Sequence, residues 1–450
     1  MKQPRSTRPR APAAAPADQS PEADPGRRRF LGAALASSAL AVPALTAAPR
    51  VYAAPGSTRF LLVFMRGGYD CANLLVPWSS SFYYESRPHI AIAAPRAGAG
   101  AEAWAAAGAG VDPSANAGAG GNADADADAA VKLDAEWALA PAVRDTLGAL
   151  YGRGQAAFIP FAGTDDLSRS HFETQDNIEL GQPLASAHDL RSGFMARLAG
   201  CLQGAAPIAF TDSLPLAFKG EAGIASISLQ HVGRPVFDDY QRAVLDQLYA
   251  GTHLQAAVAE GLELRAQVSQ AMQQEMRAAN RGAIGSHGFE LTAERMAWLM
   301  QDRYRLGFVD VGGWDTHVNE GGAHGQLAAN LSSLGSGLAT FAQALGPAWN
   351  DTVVVVLSEF GRTFRQNGDG GTDHGHGSVY WVLGGGIKGG RIAGEQVPVS
   401  AATLFQNRDY PVLNNYRAVL AGLFGRLWGL SSQQLDTVFP GAAPQELQLV

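Results

Sequence analysis

Short unbroken apolar runs alternate along the chain with longer stretches of helical spacing, and this pattern sets the expected elements. Arg59 to Met65 (Arg-Phe-Leu-Leu-Val-Phe-Met) runs into Arg66-Gly67-Gly68, which predicts a buried strand closed by a glycine turn. Ala156 to Pro160, Leu306 to Val311, Thr352 to Leu357 with its four consecutive valines, and Val379 to Leu383 predict further strands. Between them, Pro141 to Tyr151, Phe172 to Leu180, Asp238 to Asn280, Thr292 to Tyr304, Gln326 to Ala344 and Tyr416 to Trp428 read as helices. The longest is expected to break at Gly251 and Gly261. Strands apolar on both faces and separated by helices indicate an α/β fold, a mostly parallel central sheet flanked by helices. Ligands of such sheets sit beyond the carboxyl ends of the strands.

Two segments stand outside this pattern. In residues 1–53, Arg27-Arg28-Arg29 precede Phe30-Leu31, a charge-free Ala/Leu-rich stretch reaches Ala48, and small residues surround Val51-Tyr52-Ala53. These flanks read as a twin-arginine (Tat) export signal, with the Tat translocase as a transient partner and the periplasm or extracellular space as destination. A membrane anchor is the other reading, but Pro43 and the many alanines argue against it, so no stable membrane insertion is expected. From about 94 to 130 the composition collapses to Ala, Gly and alternating Asp, which predicts a disordered surface insertion. Those aspartates lack the glycine turn and terminal Glu of an EF-hand. The rest of 59–450 is read as a single domain.

Charge and cysteine content narrow the functional class. With 34 Lys+Arg against 41 Asp+Glu, the 450-residue chain has no basic excess for nucleic acid. Removing residues 1–53 takes away eight basic and three acidic residues, so an exported form is more acidic still. Two cysteines, Cys71 and Cys201, exclude a disulfide scaffold and a four-thiolate metal site, and leave their own pairing open.

The unusual polar residues collect after the expected strands. They are Arg66-Gly67-Gly68-Tyr69-Asp70, Asp165-Asp166-Leu167-Ser168-Arg169-Ser170-His171, Gly312-Gly313-Trp314-Asp315-Thr316-His317, Ser358-Glu359-Phe360-Gly361-Arg362, and Gly371-Thr372-Asp373-His374-Gly375-His376. Asp and His among glycines offer oxygen and imidazole donors on a backbone that turns tightly, and so point to a divalent metal. Zinc is foremost, with calcium, magnesium or manganese as the others. Arg66, Arg169 and Arg362 suit a tetrahedral anion through their bidentate forks. Taken singly, Asp315, Ser168 and Ser170 also read as helix caps, and the arginines as partners of carboxylates.

Together these five segments resemble the DUF1501 family, over the chain from about Arg59 onward apart from the Ala/Gly/Asp insertion. That resemblance implies an exported protein of the alkaline phosphatase/sulfatase-like superfamily, whose enzymes cleave phosphate or sulfate esters at one or two divalent metals. Residue by residue, Asp70 looks like the metal-binding Asp after the first strand, and Asp315 with His317 like the later ligand pair. Ser170 or Ser168 looks like the nucleophile. The sequence departs from the superfamily's Ser/Thr-Asp-His-Gly after the valine strand, where it has Ser358-Glu359-Phe360-Gly361. Thr372-Asp373-His374-Gly375 is a displaced copy. The absence of Cys-x-Pro-x-Arg argues against formylglycine chemistry.

Two functions are consistent with these residues. One is an exported metal-dependent hydrolase of a phosphate or sulfate ester, on a small-molecule or polysaccharide substrate. Its metal ligands come from Asp70, Asp315, His317, Glu359, Asp373, His374 and His376, and its catalytic groups from Ser170, Ser168, His171, Arg362 and Arg66. The other is a catalytically inactive relative serving as an exported binding or assembly factor for envelope polysaccharide, suggested by Phe360 in a ligand's place.

Overall fold

The computed structural model describes residues 58–96, 127–186, 188–202, 204–220, 224–227, 239–263 and 289–450. The export signal expected in 1–53 and most of the 94–130 insertion lie outside the described residues, as does the end of the Asp238–Asn280 helical region. No helix among the described residues is long and apolar enough to cross a membrane.

The strands, in chain order, are β1 Arg59–Met65, β2 Leu75–Val76, β3 Val131–Lys132, β4 Ala138–Leu139, β5 Ala156–Gly163 and β6 Pro207–Ala209. They continue as β7 Ala225–Ser226, β8 Leu306–Val311, β9 Thr352–Ser358, β10 Ser378–Leu383, β11 Arg391–Ile392 and β12 Asn414–Asn415. Nine of them form one sheet in the order β11-β5-β10-β9-β1-β8-β6-β7, with β12 also on β5; β2, β4 and β3 form a small second sheet. The large sheet is mostly parallel, as the alternation of apolar strands and helices predicts. β10 is the exception, running antiparallel to both β5 and β9. Its apolar run has no feature that marks direction, so only the connection could have shown it.

Alternate residues of β1 feed two cores. Leu61, Val63 and Met65 face the helices Phe289–Asp302 and Gln326–Leu345 and the mixed helical segment 141–152. Phe60, Leu62 and Phe64 face the helices Phe194–Cys201, Tyr416–Trp428 and Ser432–Val438. Burial on both faces is why these strands read as continuous apolar runs. The Asp239–Tyr249 helix stops before Gly251, which has φ +74, whereas Gly261 lies inside helix 255–263 rather than at a break.

The sheet brings the polar segments to one edge. Met65, Val311 and Ser358 pair in register, so β1, β8 and β9 end level. β10 starts at that same edge because it returns antiparallel, and residues 359–377 bridge from the end of β9 to its beginning.

Candidate functional site

Three imidazoles and one carboxylate converge beyond these strand ends. His374 Nε2 lies 3.0 Å from His171 Nε2, 3.1 Å from His317 Nε2 and 3.2 Å from Asp315 Oδ1. Asp315 Oδ1 is also 3.0 Å from His317 Nε2, and its Oδ2 is 3.5 Å from His171 Nε2. Donor atoms of His171, Asp315 and His374 all fall within 4.8 Å of one another. The Asp315 side chain is 46% exposed, so the group is open to solvent.

Each ring has its other nitrogen held. His171 Nδ1 donates to Glu359 Oε1 at 2.8 Å, His317 Nδ1 to Asp373 Oδ1 at 3.2 Å, and His374 Nδ1 to the Arg169 carbonyl at 3.1 Å. A backbone carbonyl can only accept, so the His374 proton is on Nδ1. Two carboxylates place it there for the others. All three Nε2 atoms therefore face inward, presenting a lone pair wherever the ring is neutral. Lone pairs 3.0–3.1 Å apart repel unless a proton or cation lies between them. Ligands about 2.0–2.1 Å from a tetrahedral ion would stand roughly 3.3 Å apart, close to the spacings here. The donor set fits a borderline nitrogen-and-oxygen ion such as zinc, not calcium or magnesium, which take oxygen.

Local chemistry explains why the donors are placed this way. His171 opens the His171–Leu180 helix, immediately after Ser170, whose side chain caps the Glu173 N–H. Glu359 is fully buried and also accepts from Gln175 Nε2 and the Gly67 N–H, each at 2.8 Å. Burial alone would raise its carboxyl; the bonds from His171 and Gln175 hold it below the ordinary range. The Glu359 bond in turn raises His171. His374 is lowered, by burial first and then by the charges of His171 and Arg362. Burial works against ionised Asp315, but Arg362 holds it below the usual range. Phe360 is buried with its ring centre 4.9 Å from that of His171 and 5.1 Å from that of His374, forming an apolar floor beneath them. Gly68, at φ +61, lets the loop after β1 cross that floor; a Cβ there would run into the Phe360 ring.

A family model described as Protein of unknown function (DUF1501) matches residues 57–439. The chain belongs to the DUF1501 family. No curated protein matches it. Among solved structures, the one titled Ps i-CgsB is 10% identical, with a TM-score of 0.34, covering 86% of this chain and 74% of that one. The structure of Ps i-CgsB in complex with k-i-k-neocarrahexaose is 9% identical, with a TM-score of 0.33, covering 87% and 75%. Likenesses this weak carry nothing further about this DUF1501 chain.

Several residues expected in the site stand elsewhere or do other work. Asp70 is buried and paired with Arg87 through both oxygens, apart from the three imidazoles. Glu359 and Asp373 touch the outer nitrogens of His171 and His317 rather than the centre. The His376 ring packs at 5.1 Å from Phe405, and burial pushes it down to about 4. Ser168 Oγ is 3.2 Å from Thr174 Oγ1. The arginines are spent on the protein itself. Arg362 donates to the carbonyls of Gly67, Gly68, Trp314 and Thr372 and to Asp315, while Arg66 bonds Asp310, Gln175 and Glu179. Arg169 pairs with Asp409. Arg362 is fully spent in this way, and Arg66 and Arg169 are each held by carboxylates.

Sequence reasoning missed Arg87 and Glu320, which complete a buried charged group with Asp70. Arg87 lies 17 positions beyond its partner in a Ser-Arg-Pro loop, with nothing nearby to mark it. Burial and the Asp70 charge push the Glu320 carboxyl up to about 9, so it is neutral in the fold at ordinary pH. The unfolded chain loses that proton near the ordinary carboxylate value. The folded state therefore binds more protons between the two, and stability falls as pH rises through that window. Urea unfolding at about pH 5 and about pH 8 checks this: Glu320→Gln should lose stability less steeply than the native chain. Equal slopes would refute the assignment.

Proposed function

We propose that this chain is an exported metal-dependent hydrolase of a phosphate or sulfate ester, within the alkaline phosphatase/sulfatase-like superfamily. The carrying observation is that His171 and His374, each with Nδ1 already committed, bring Nε2 within 4.8 Å of one another and of the Asp315 carboxylate, with His317 Nε2 3.1 Å from that of His374. His171, Asp315, His317 and His374 would hold the ion, zinc first among the candidates. When bound, it supplies Lewis acidity, polarising an ester oxygen and making water acidic near neutral pH.

The protein's own groups do the rest. Glu359, Asp373 and the Arg169 carbonyl fix the ring orientations, as outer partners of metal-binding histidines do. Arg362 holds Asp315 in place. The amino end of the His171–Leu180 helix opens beside the centre, and its dipole favours an anionic substrate. Because Arg362 is spent inside the protein, that dipole and the ion would supply most of the positive charge an ester anion meets. The Ser170 hydroxyl caps the helix only as acceptor of the Glu173 N–H at 3.5 Å, and we assign the attacking group to water because a bound ion would make it acidic near neutral pH.

Elemental analysis of the purified full chain should find zinc near one equivalent, and aryl phosphates or aryl sulfates should turn over only with metal restored. Ser170→Ala should keep most of the turnover and cost about 1 kcal/mol of stability through loss of the cap. Absence of any bound metal, with no turnover after metal addition, would overturn the hydrolase. Turnover abolished in a folded Ser170→Ala protein would make the serine the nucleophile. The second reading, a binding factor for envelope polysaccharide, is favoured by Arg362 being spent inside the protein, and bound metal without turnover of any ester would support it.

A further inference from the structure

We propose that Glu320 is the positioning residue that sets the spacing of the two loops bearing Asp315, His317 and His374. This rests on the reading of those residues, with His171, as a metal centre. Thr316 lies between Asp315 and His317, and Thr372 lies just ahead of Asp373 and His374. Glu320 Oε2 accepts from both hydroxyls, at 3.0 Å from Thr316 Oγ1 and 2.7 Å from Thr372 Oγ1. One oxygen atom thus staples the two loops immediately behind their ligands.

The other oxygen explains how a carboxyl can do this inside the protein. Glu320 is fully buried, and its Oε1 finds no donor among the described residues. The Glu320 carboxyl neighbours Asp70, both of whose oxygens are engaged by Arg87. Two ionised carboxylates in contact would repel; a proton on Oε1 turns the contact into a hydrogen bond to Asp70. Neutral Glu320 then presents one donor to Asp70 and one acceptor to the threonines. A glutamine amide has the same pattern, donating through its nitrogen and accepting through its oxygen.

The loops are also joined by backbone bonds, from Thr372 N to Thr316 O at 3.3 Å and from Glu320 N to Gly370 O at 3.0 Å. They therefore stay neighbours without the carboxyl. What Glu320 adds is fine placement, and a metal site tolerates only about 0.5 Å of error in its ligands. Its loss should therefore register in metal binding more than in folding.

The test uses the full chain stripped by a chelator, then titrated with Zn²⁺ against a chromophoric competitor and with Co²⁺ by visible absorption. Glu320→Gln should bind Zn²⁺ as the native chain does. Glu320→Ala and Thr372→Val should bind about 10- to 100-fold more weakly and alter the Co²⁺ spectrum, with far-ultraviolet dichroism unchanged. Native affinity in folded Glu320→Ala would overturn the proposal, as would a Gln variant as weak as the Ala variant. Should Glu320→Ala fail to fold, Thr372→Val decides alone, and unchanged affinity there refutes the role. If the native chain itself binds neither ion, the metal centre falls, and this inference with it. Native binding with undisturbed variants removes only the role of Glu320.

Discussion

His374→Ala is expected to abolish metal retention and bring ester turnover down to background. Its Nε2 is the atom within 3.2 Å of donors on all three partners, His171, His317 and Asp315. Without it, only Asp315 remains beside both His171 and His317, and the Arg169 carbonyl loses its donor. Removing an outer partner of a metal site costs about 10- to 100-fold in affinity, and removing a central ligand should exceed that. His376→Ala is the internal control. That ring is two positions away in the same loop but packs tilted against Phe405, so its loss should leave metal content near the native value. Elemental analysis of both variants after gel filtration reads the result. Equal metal in the two would show that the imidazole cluster is not the binding site.

Arg87→Met should be the most damaging substitution away from the centre. The guanidinium is fully buried, bonds both oxygens of Asp70, and also donates to the Phe364 and Thr363 carbonyls and to Asn73 Oδ1. Burial alone would raise the Asp70 carboxyl; Arg87 instead holds it below the usual range. Removing the cation strands a charge in the interior, which costs about 3–5 kcal/mol. Urea unfolding measures it, and Asp70→Asn in the same chain should recover part of the loss. A change below about 1 kcal/mol would mean that Asp70 is neutral or reaches water.

How far the sequence foretold this differs between fold and site. The long strands were legible because β1, β8 and β9 are buried on both faces over most of their length and so carry apolar runs, with polar residues only at or near their ends. β6, β7, β11 and β12 are two or three residues long, too short for any periodicity to register. The grouping of Asp315, His317 and His374 was readable because each follows a strand that ends at the common edge. What separates ligand from bystander was not. His374 and His376 differ only in which way a glycine-flanked loop turns, and Asp70 was claimed by an arginine that no motif links to it. Phe360 looked like a vacancy in the ligand pattern, yet it is the surface on which two of the rings rest.

The centre is assembled from residues 203 positions apart, His171 at one extreme and His374 at the other. A chain still emerging from the ribosome has released the first donor long before the last exists, so no partial product can capture the ion in this arrangement. On the proposed metal centre, acquisition would follow synthesis of β9 and the loop beyond it, and mineral uptake would then be a late event in the life of the molecule and a reporter of finished folding.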